Sequence, residues 1–517
     1  SVSSPTATST TETTVTLGGT VDSIGGSDLT SRGICYGTAP SPTSCTAVNG
    51  TSTGTFSVDI TGLASSTTYY YRVYATNVAG TAYSTDSTFT TEGTTNSLLL
   101  DSSQTQYLSK TLTSPTNNKK YTFSTWVKRS KLASEWDILS ANNAGTESIY
   151  FSSSDDTMII RDSASGLVKR TAQVFRDPSA WLHVVLAVDT TQATAANRNR
   201  LYINGVENTA WVTNTTDATL NASNNLNSAI IHRMGSYNGS LGLADGYQAE
   251  TYFIDGQQLT PSYFGQTSTT TSMWIPKSYA GTYGNNGFHL NFSNANNLGK
   301  DTSGNGNDWT LNGGISSSLN QTIDTPVNNF ATLNGADKGT VTLSGGNLVS
   351  VPGTDHHGVR GSIAIPTSGK WYWEAKVASL GYGSWIGIAD QTTNLTLGSG
   401  SGSTKTFQWG SWFNTYNSGV VQYGTNQGYS LGSNWSGASQ PGNNDIIMVA
   451  VDMDNNSMWV GKNGVWFNSS GSANPATNSD PRWTGLATTS TLWFPFAGGY
   501  ASSPAVSFNF GQKAFTY

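Results

Sequence analysis

Charge is what this sequence has least of. Asp, Glu, Lys and Arg make up 11% of its 517 residues, less than half the share in an ordinary globular protein. The net charge is −6 and no Lys/Arg cluster occurs, so the electrostatic footprint of a nucleic-acid-binding protein is missing. Long apolar runs are missing too. The longest, Ile446–Val451, falls far short of the roughly 20 residues that a membrane helix needs, so no membrane insertion is expected. No stretch keeps the 3.6-residue apolar period long enough to predict a helix. The chain begins at Ser1 with neither Met nor signal peptide, which reads as a processed chain or the end of a longer one.

Only two cysteines are present, Cys35 and Cys45. They could form a disulfide pinning a hairpin, which implies an oxidising compartment, or remain as two buried thiols in a small core. What fills the chain instead is Gly, Ser, Thr and Asn, together with 16 Trp, 23 Tyr and 18 Phe. Disordered chains lack such aromatics. Thr, Val, Tyr and Trp set between Gly, Asn and Ser turns predict strands, and the aromatics suffice for several separate cores.

Three segments follow. In the first, 1–93, Gly54–Ile60 alternates apolar and polar residues, and Tyr69, Tyr71, Val73 and Ala75 share one face of a strand. Leu63 followed by Tyr69 at a strand start resembles the tyrosine corner of immunoglobulin-like sandwiches. With RGICYGTAP at Arg32–Pro40, the line from Thr61 to Thr91 resembles bacterial fibronectin type III domains. That resemblance implies a rigid spacer with no chemistry of its own.

The second segment, 94–326, carries YTFSTWVKRS from Tyr121, WLHVVLAVD from Trp181, LYINGVE from Leu201 and YQAETYFIDGQ from Tyr247. Asn204-Gly205 is a strong hairpin-turn signal. These pieces resemble the laminin-G/concanavalin-A-like jelly roll, and the segment is similar to a module of marine phage structural proteins. The third, 327–517, carries GKWYWEA from Gly369, WIGIAD from Trp385, DIIMVAVDMD from Asp445, WVGKNGVWF from Trp459, Phe494-Pro495-Phe496 and a closing VSFNFGQ. Their order and spacing resemble the SPRY domain, a bent β-sandwich whose loops at one end bind a partner. The expected fold is therefore all-β, with three consecutive β-sandwich domains: immunoglobulin-like, concanavalin-A-like jelly roll and SPRY-like bent sandwich.

Candidate chemistry is sparse. Glu135-Trp-Asp137 is similar to the start of the Glu-x-Asp-x-x-Glu strand of jelly-roll glycoside hydrolases, but the final acid is replaced by Ser140, and hydrolysis needs a pair of carboxyl groups. A strand with a polar outer face is expected there. Asp355-His356-His357 reads as a loop, in solvent or against a partner, without further metal ligands nearby. Asp452 and Asp454 read as a strand-to-turn element. Asp301, Asn305 and Asn307 lie in an Asp/Asn/Gly-rich loop similar to loops of laminin-G-type domains, some of which bind Ca²⁺; oxygen ligands on a Gly-bent loop suit that ion, and an Asx-rich turn is the alternative. No phosphate loop or nucleophile elbow is present, and no catalytic residue or cofactor beyond Ca²⁺ is expected.

Sugar sites pair exposed aromatic faces with a few polar groups. Trp409, Trp412, Tyr416, Tyr423 and Trp435 are crowded more closely than one strand can bury on one face, and are the expected ligand contacts; packing in the sandwich core is the other possibility. Together these features predict a non-enzymatic, extracellular, lectin-like protein on a virion or cell surface. A phage tail fibre binding a host-surface glycan or protein, and assembling with its own copies or other fibre proteins, is the leading expectation. A bacterial adhesin or filament subunit is the second, and a secreted glycoside hydrolase a distant third.

Overall fold

The computed structural model describes residues 1–8, 14–48, 50–63, 67–91, 96–142, 146–212, 215–268, 271–353, 356–378, 384–397, 406–414, 417–423, 430–431, 443–467, 472–481, 483–484, 486, 491–499 and 505–517; for 356, 384, 397, 406–414, 417–423, 430–431 and 483 it gives the backbone alone. The chain is all-β, and α-helix among the described residues is confined to the single turn Ser317–Asn320. No helix there is long and apolar enough to cross a membrane.

The first strands form two facing sheets. Val2–Thr8, Val15–Val21 and Gly54–Ile60 make one; Leu29–Gly37 and Thr68–Asn77 are the centre of the other. Val15, Leu17, Ile34, Ile60, Leu63, Tyr69, Tyr71 and Val73 meet between them. Tyr69 stacks on Phe89 with centroids 5.4 Å apart. Alternation places Tyr69, Tyr71 and Val73 on the inward face. Cys35 and Cys45 are register partners on adjacent strands, and their sulfurs are bonded with the Cα atoms 3.8 Å apart.

Strands between 97 and 322 build a jelly-roll-type sandwich of a seven-stranded and an eight-stranded sheet. Lys120–Arg129 lies at the heart of the larger sheet, antiparallel to Leu182–Asp189 on one side and Gly246–Asp255 on the other. Phe123, Val127, Val184, Leu186 and Phe253 project from it onto Trp136, Ile138, Phe151 and Ile160 of the smaller sheet. The opposite face of the larger sheet is apolar as well. Val185, Tyr202, Tyr252 and Ile254 are roofed by Phe264 and Tyr279, which explains why these strands read as continuous apolar runs.

The strands from Leu333 onward form two further sheets. The one that matters below runs, in spatial order, Val341–Ser344, Val349–Pro352, Val506–Asn509, Lys370–Val377, Ile446–Asp452, Ser457–Lys462 and Val465–Trp466. Trp373, Ala375, Val449, Val451 and Val460 from this sheet pack against Val359, Ile386 and Ile388 of the other. The alternate positions Lys370, Tyr372, Ala450, Asp452 and Trp459 therefore point outward.

Two expectations are corrected. His356 and His357 begin a strand, His356–Gly361, and are not in a loop; His357 Nδ1 accepts the Thr340 N–H at 2.8 Å. The strand holding Asp137 does not present a polar outer face. Asp137 is 1% exposed, because residues 235–245 fold over it: its N–H donates to Gly242 O at 3.0 Å, and Ser140 Oγ donates to Ser236 O at 2.8 Å. Burial, then the neighbouring Glu135 charge, push the Asp137 carboxyl well above the ordinary carboxylate range.

Candidate functional site: an aromatic groove on the third sandwich

The outward row Tyr372–Ala450–Trp459 crosses three neighbouring strands in direct register, since Tyr372 pairs with Ala450 and Ala450 with Trp459. A single methyl between two large rings leaves a shallow trough, whose floor, Ala450 and Trp459, is itself buried. The next row is Lys370 beside Asp452, with Nζ and Oδ2 3.7 Å apart.

A tight turn supplies the far wall. Asn463 and Gly464 have φ of 49° and 84°, the left-handed pair that suits a two-residue hairpin. It sets Trp466 opposite Gly461. A Cβ on Gly461 would lie 3.0 Å from the Trp466 ring and 2.6 Å from Val465 O, so only glycine lets that ring lie down. The resulting groove encloses about 290 Å³ and is lined by Trp371, Tyr372, Trp459 and Trp466 with Lys370, Asp452 and the turn Asn474–Ala476.

These walls are held in place. Trp371, 41% exposed, donates its indole N–H to Ser368 O at 3.0 Å. Trp459 donates to Ser479 O at 2.9 Å. Tyr372 donates to Glu374 Oε1 at 3.0 Å and meets Trp466 edge-on at 6.2 Å and Phe515 at 4.8 Å. Burial, reinforced by the Glu374 carboxylate, pushes the Tyr372 phenol up, so it stays a neutral donor. Burial works to raise Asp452, but hydrogen bonds from Asn455 and the Lys370 charge outweigh it and hold the carboxyl below its ordinary value. Asn474 Oδ1 caps its turn by accepting from Ala476 N at 3.0 Å. Its Nδ2 has no hydrogen-bond partner among the described residues. The groove thus offers the apolar faces of Trp371, Tyr372 and Trp466, the Lys370 cation and a spare amide donor, over a buried floor of Ala450, Asp452 and Trp459.

Trp409, Trp412 and Tyr423 lie on the hairpin strands Thr406–Asn414 and Asn417–Tyr423 of the other sheet, while Tyr416 and Trp435 lie outside the described residues. The groove aromatics were missed, although a signal existed. A two-residue turn at 463–464 pairs 461 with 466, which puts Trp459 and Trp466 on one face of the sheet.

Asp301 accepts four hydrogen bonds, from His289 N, Ser303 N, Ser303 Oγ and Asn307 N. Asn305 Nδ2 donates to Gly284 O and Gly287 O, and Asn307 Nδ2 to Asn285 O and Gly287 O. Asp301 is thereby satisfied by the chain itself, about four lone-pair sites being all a carboxylate has. Asp452 accepts Asn455 N and Nδ2, and Asp454 accepts Gly369 N, both at the strand-to-turn corner. Among the described residues no three His, Cys, Asp or Glu side chains converge as a metal site would require.

Residues 100–245 match the family described as the Concanavalin A-like lectin/glucanases superfamily. No curated protein matches the sequence. Among solved structures, the chain is similar to the SPRY domain of human HERC1, at 17% identity over 35% of this chain and 99% of that one, with a TM-score of 0.25. It is also similar to a putative carbohydrate binding protein from Bacteroides ovatus, at 13% identity over 58% and 90% of the two chains and a TM-score of 0.33. A third is the mouse laminin alpha1 chain, domains LG4-5, at 7% identity over 80% and 88%, with a TM-score of 0.25.

Proposed function

We propose that the chain is an extracellular, non-catalytic binding protein that takes a glycan in the aromatic groove of its third, SPRY-like sandwich. The observation that carries this is the set of solvent-reaching rings Trp371, Tyr372 and Trp466 around a floor made by the buried Ala450 and Trp459. Sugar rings have apolar C–H faces that stack on such rings, while Lys370 and Asn474 serve the hydroxyls. The lectin-type match over 100–245 supports a binding role in a second sandwich. The first would be a fibronectin-type-III-like spacer, set apart by a boundary near residue 93 and followed by a second near 326. Such a chain suits a phage tail fibre or other virion surface component that meets a host glycan or surface protein. A bacterial surface adhesin or filament subunit is the alternative.

The test is a glycan array probed with the whole chain, followed by calorimetric titration of the hits. Saturable binding that Trp371→Ala weakens at least tenfold supports the groove. Hits unaffected by Trp371→Ala and Trp466→Ala would rule it out. Finding the chain on purified virions favours the fibre, and finding it on cell envelopes favours the adhesin.

A further inference from the structure

The second and third sandwiches meet along an extended, hydrogen-bonded seam. Asn347 Nδ2 donates to Ser130 O at 2.7 Å, Tyr247 OH to Gly346 O at 3.1 Å, and Ile323 N to Gln512 O at 3.1 Å. Lys513 Nζ crosses to Ser318 O and Leu319 O at 2.7 and 2.8 Å. Beside these contacts the two surfaces part and leave a cleft of about 580 Å³, well within the size of ligand pockets, which favour such junctions.

Two side-chain amides line the cleft, one from each sandwich: Gln106, 4% exposed, and Gln512, 1% exposed. Gln106 Oε1 accepts from Asp101 N at 3.0 Å and Asn320 Nδ2 at 2.7 Å, and Gln512 Oε1 from Phe510 N at 2.7 Å. Each carbonyl is therefore pinned, and the amide cannot turn over without losing those bonds. Gln512 Nε2 is buried with no partner, and Gln106 Nε2 likewise donates to no described residue. A buried donor left unmade is costly, so Gln512 Nε2, with the unpartnered Gln106 Nε2 lining the same cleft, calls for an acceptor from outside.

The remaining lining agrees. Lys376 is exposed on the cleft wall without an ion-pair partner among the described residues. The one buried carboxylate there, Glu374, is already taken up by Tyr372 OH and the N–H groups of Thr516 and Tyr517. Asp101 has one oxygen engaged by Ser103 and the other free to accept from a hydroxyl. Leu99, Leu348, Val349 and Phe508 supply apolar wall. Amide donors, a cation on the wall, one acceptor at the side and apolar faces between them describe a ligand with a carboxylate, hydroxyls and C–H faces. We propose that this cleft binds a carboxylate-bearing saccharide, of the uronic or sialic acid kind, between the two sandwiches. The site is separate from the aromatic groove and does not depend on it.

The test is calorimetric titration of the whole chain with oligouronates and with sialyllactose, using maltotriose and acetate as the neutral and plain-carboxylate controls. We expect saturable binding of an acidic saccharide, at least tenfold tighter than either control. Lys376→Glu should weaken it tenfold or more, Ser507→Trp, which fills the half-buried cleft wall, should abolish it, and Trp371→Ala in the groove should leave it unchanged. Absence of saturable binding, equal affinity for maltotriose or acetate, or binding that survives both Lys376→Glu and Ser507→Trp would overturn the proposal. Loss only with Trp371→Ala would overturn it in favour of the groove.

Discussion

Lys128 and Asp324 form an ion pair at 2.8 Å with neither side chain reaching solvent. Lys128 Nζ also donates to Asn329 Oδ1 at 2.7 Å and Phe330 O at 2.6 Å, and Trp181 Nε1 donates to Asp324 Oδ1 at 3.0 Å. One lysine of the jelly roll thus gathers the whole passage that leads into the third sandwich. Burial lowers the Lys128 pKa and raises that of Asp324, in each case against the attraction of the partner. The pair is therefore a clamp more than a source of net stability.

Removing one member should be severe. Lys128→Met strands a buried carboxylate and is expected to cost about 3–5 kcal/mol, whereas Lys128→Met combined with Asp324→Leu should recover much of that loss. Denaturant unfolding of the four proteins in the cycle measures the coupling. Equal losses in the single and double variants would contradict the clamp.

The groove depends on one small residue. Ala450→Leu should fill the trough between Tyr372 and Trp459 and abolish glycan binding, and because Ala450 is itself buried the overpacking should cost about 1–3 kcal/mol without unfolding the chain. Calorimetric titration beside a thermal melt separates the two effects. Retained binding in Ala450→Leu would move the ligand elsewhere.

Acid should act through two buried histidines. His183 accepts the Trp274 indole N–H at Nδ1 and meets Ser124 Oγ with Nε2, both at 2.9 Å, so its one proton sits on Nε2. In that tautomer it donates to Ser124 and cannot serve as its base. Burial pulls the His183 pKa down to about 3 and that of His232 to about 4. Unfolded histidine takes its proton near pH 6.5. Between pH 6.5 and 4.5 the unfolded chain therefore binds more protons at these sites, and acidification costs up to about 1.4 kcal/mol per pH unit for each. Asp162 and Asp245, raised by burial to about 6, act with the opposite sign, because the folded chain protonates them first. His183→Gln with His232→Asn removes the histidine cost and leaves the carboxyl gain, so the stability of the variant relative to the parent should rise steadily as pH falls from 6.5 to 4.5. Urea midpoints across that range decide the matter, and parallel curves for the two proteins would refute it.

The disulfide should matter locally. Cys35 and Cys45 close a loop with a sequence separation of 10, for which the loss on opening is about 2–4 kcal/mol. Reduction, or Cys35→Ser with Cys45→Ser, should lower the melting of the first sandwich and leave the transition of the other two in place. A shift of every transition in differential scanning calorimetry would show that the first sandwich is coupled to the rest.

Local pattern was enough for the strands. The alternation in Tyr69–Val73 and Lys370–Val377, and the Asn-Gly pairs at 204–205 and 463–464, are set by period-two geometry and by left-handed turn residues, which act over a few neighbours. The same economy explains the two misplacements. Asp137 was expected to be solvated because its strand alternates, but its burial comes from a loop about a hundred residues further on. The paired histidines were assigned to a loop because Pro and Gly flank them, and sheet pairing overrode that preference.

What the sequence by itself determined is the class: β-strands with several aromatic cores, little charge and no apolar run fit for a membrane. Which residues make a site was decided only in three dimensions. The trough at Ala450 needs three strands in register, the clamp joins residues 196 positions apart, and the two unpartnered amides meet across a seam between sandwiches. Each depends on contacts between segments distant in the chain, and the only warrant for those is burial against a particular neighbour.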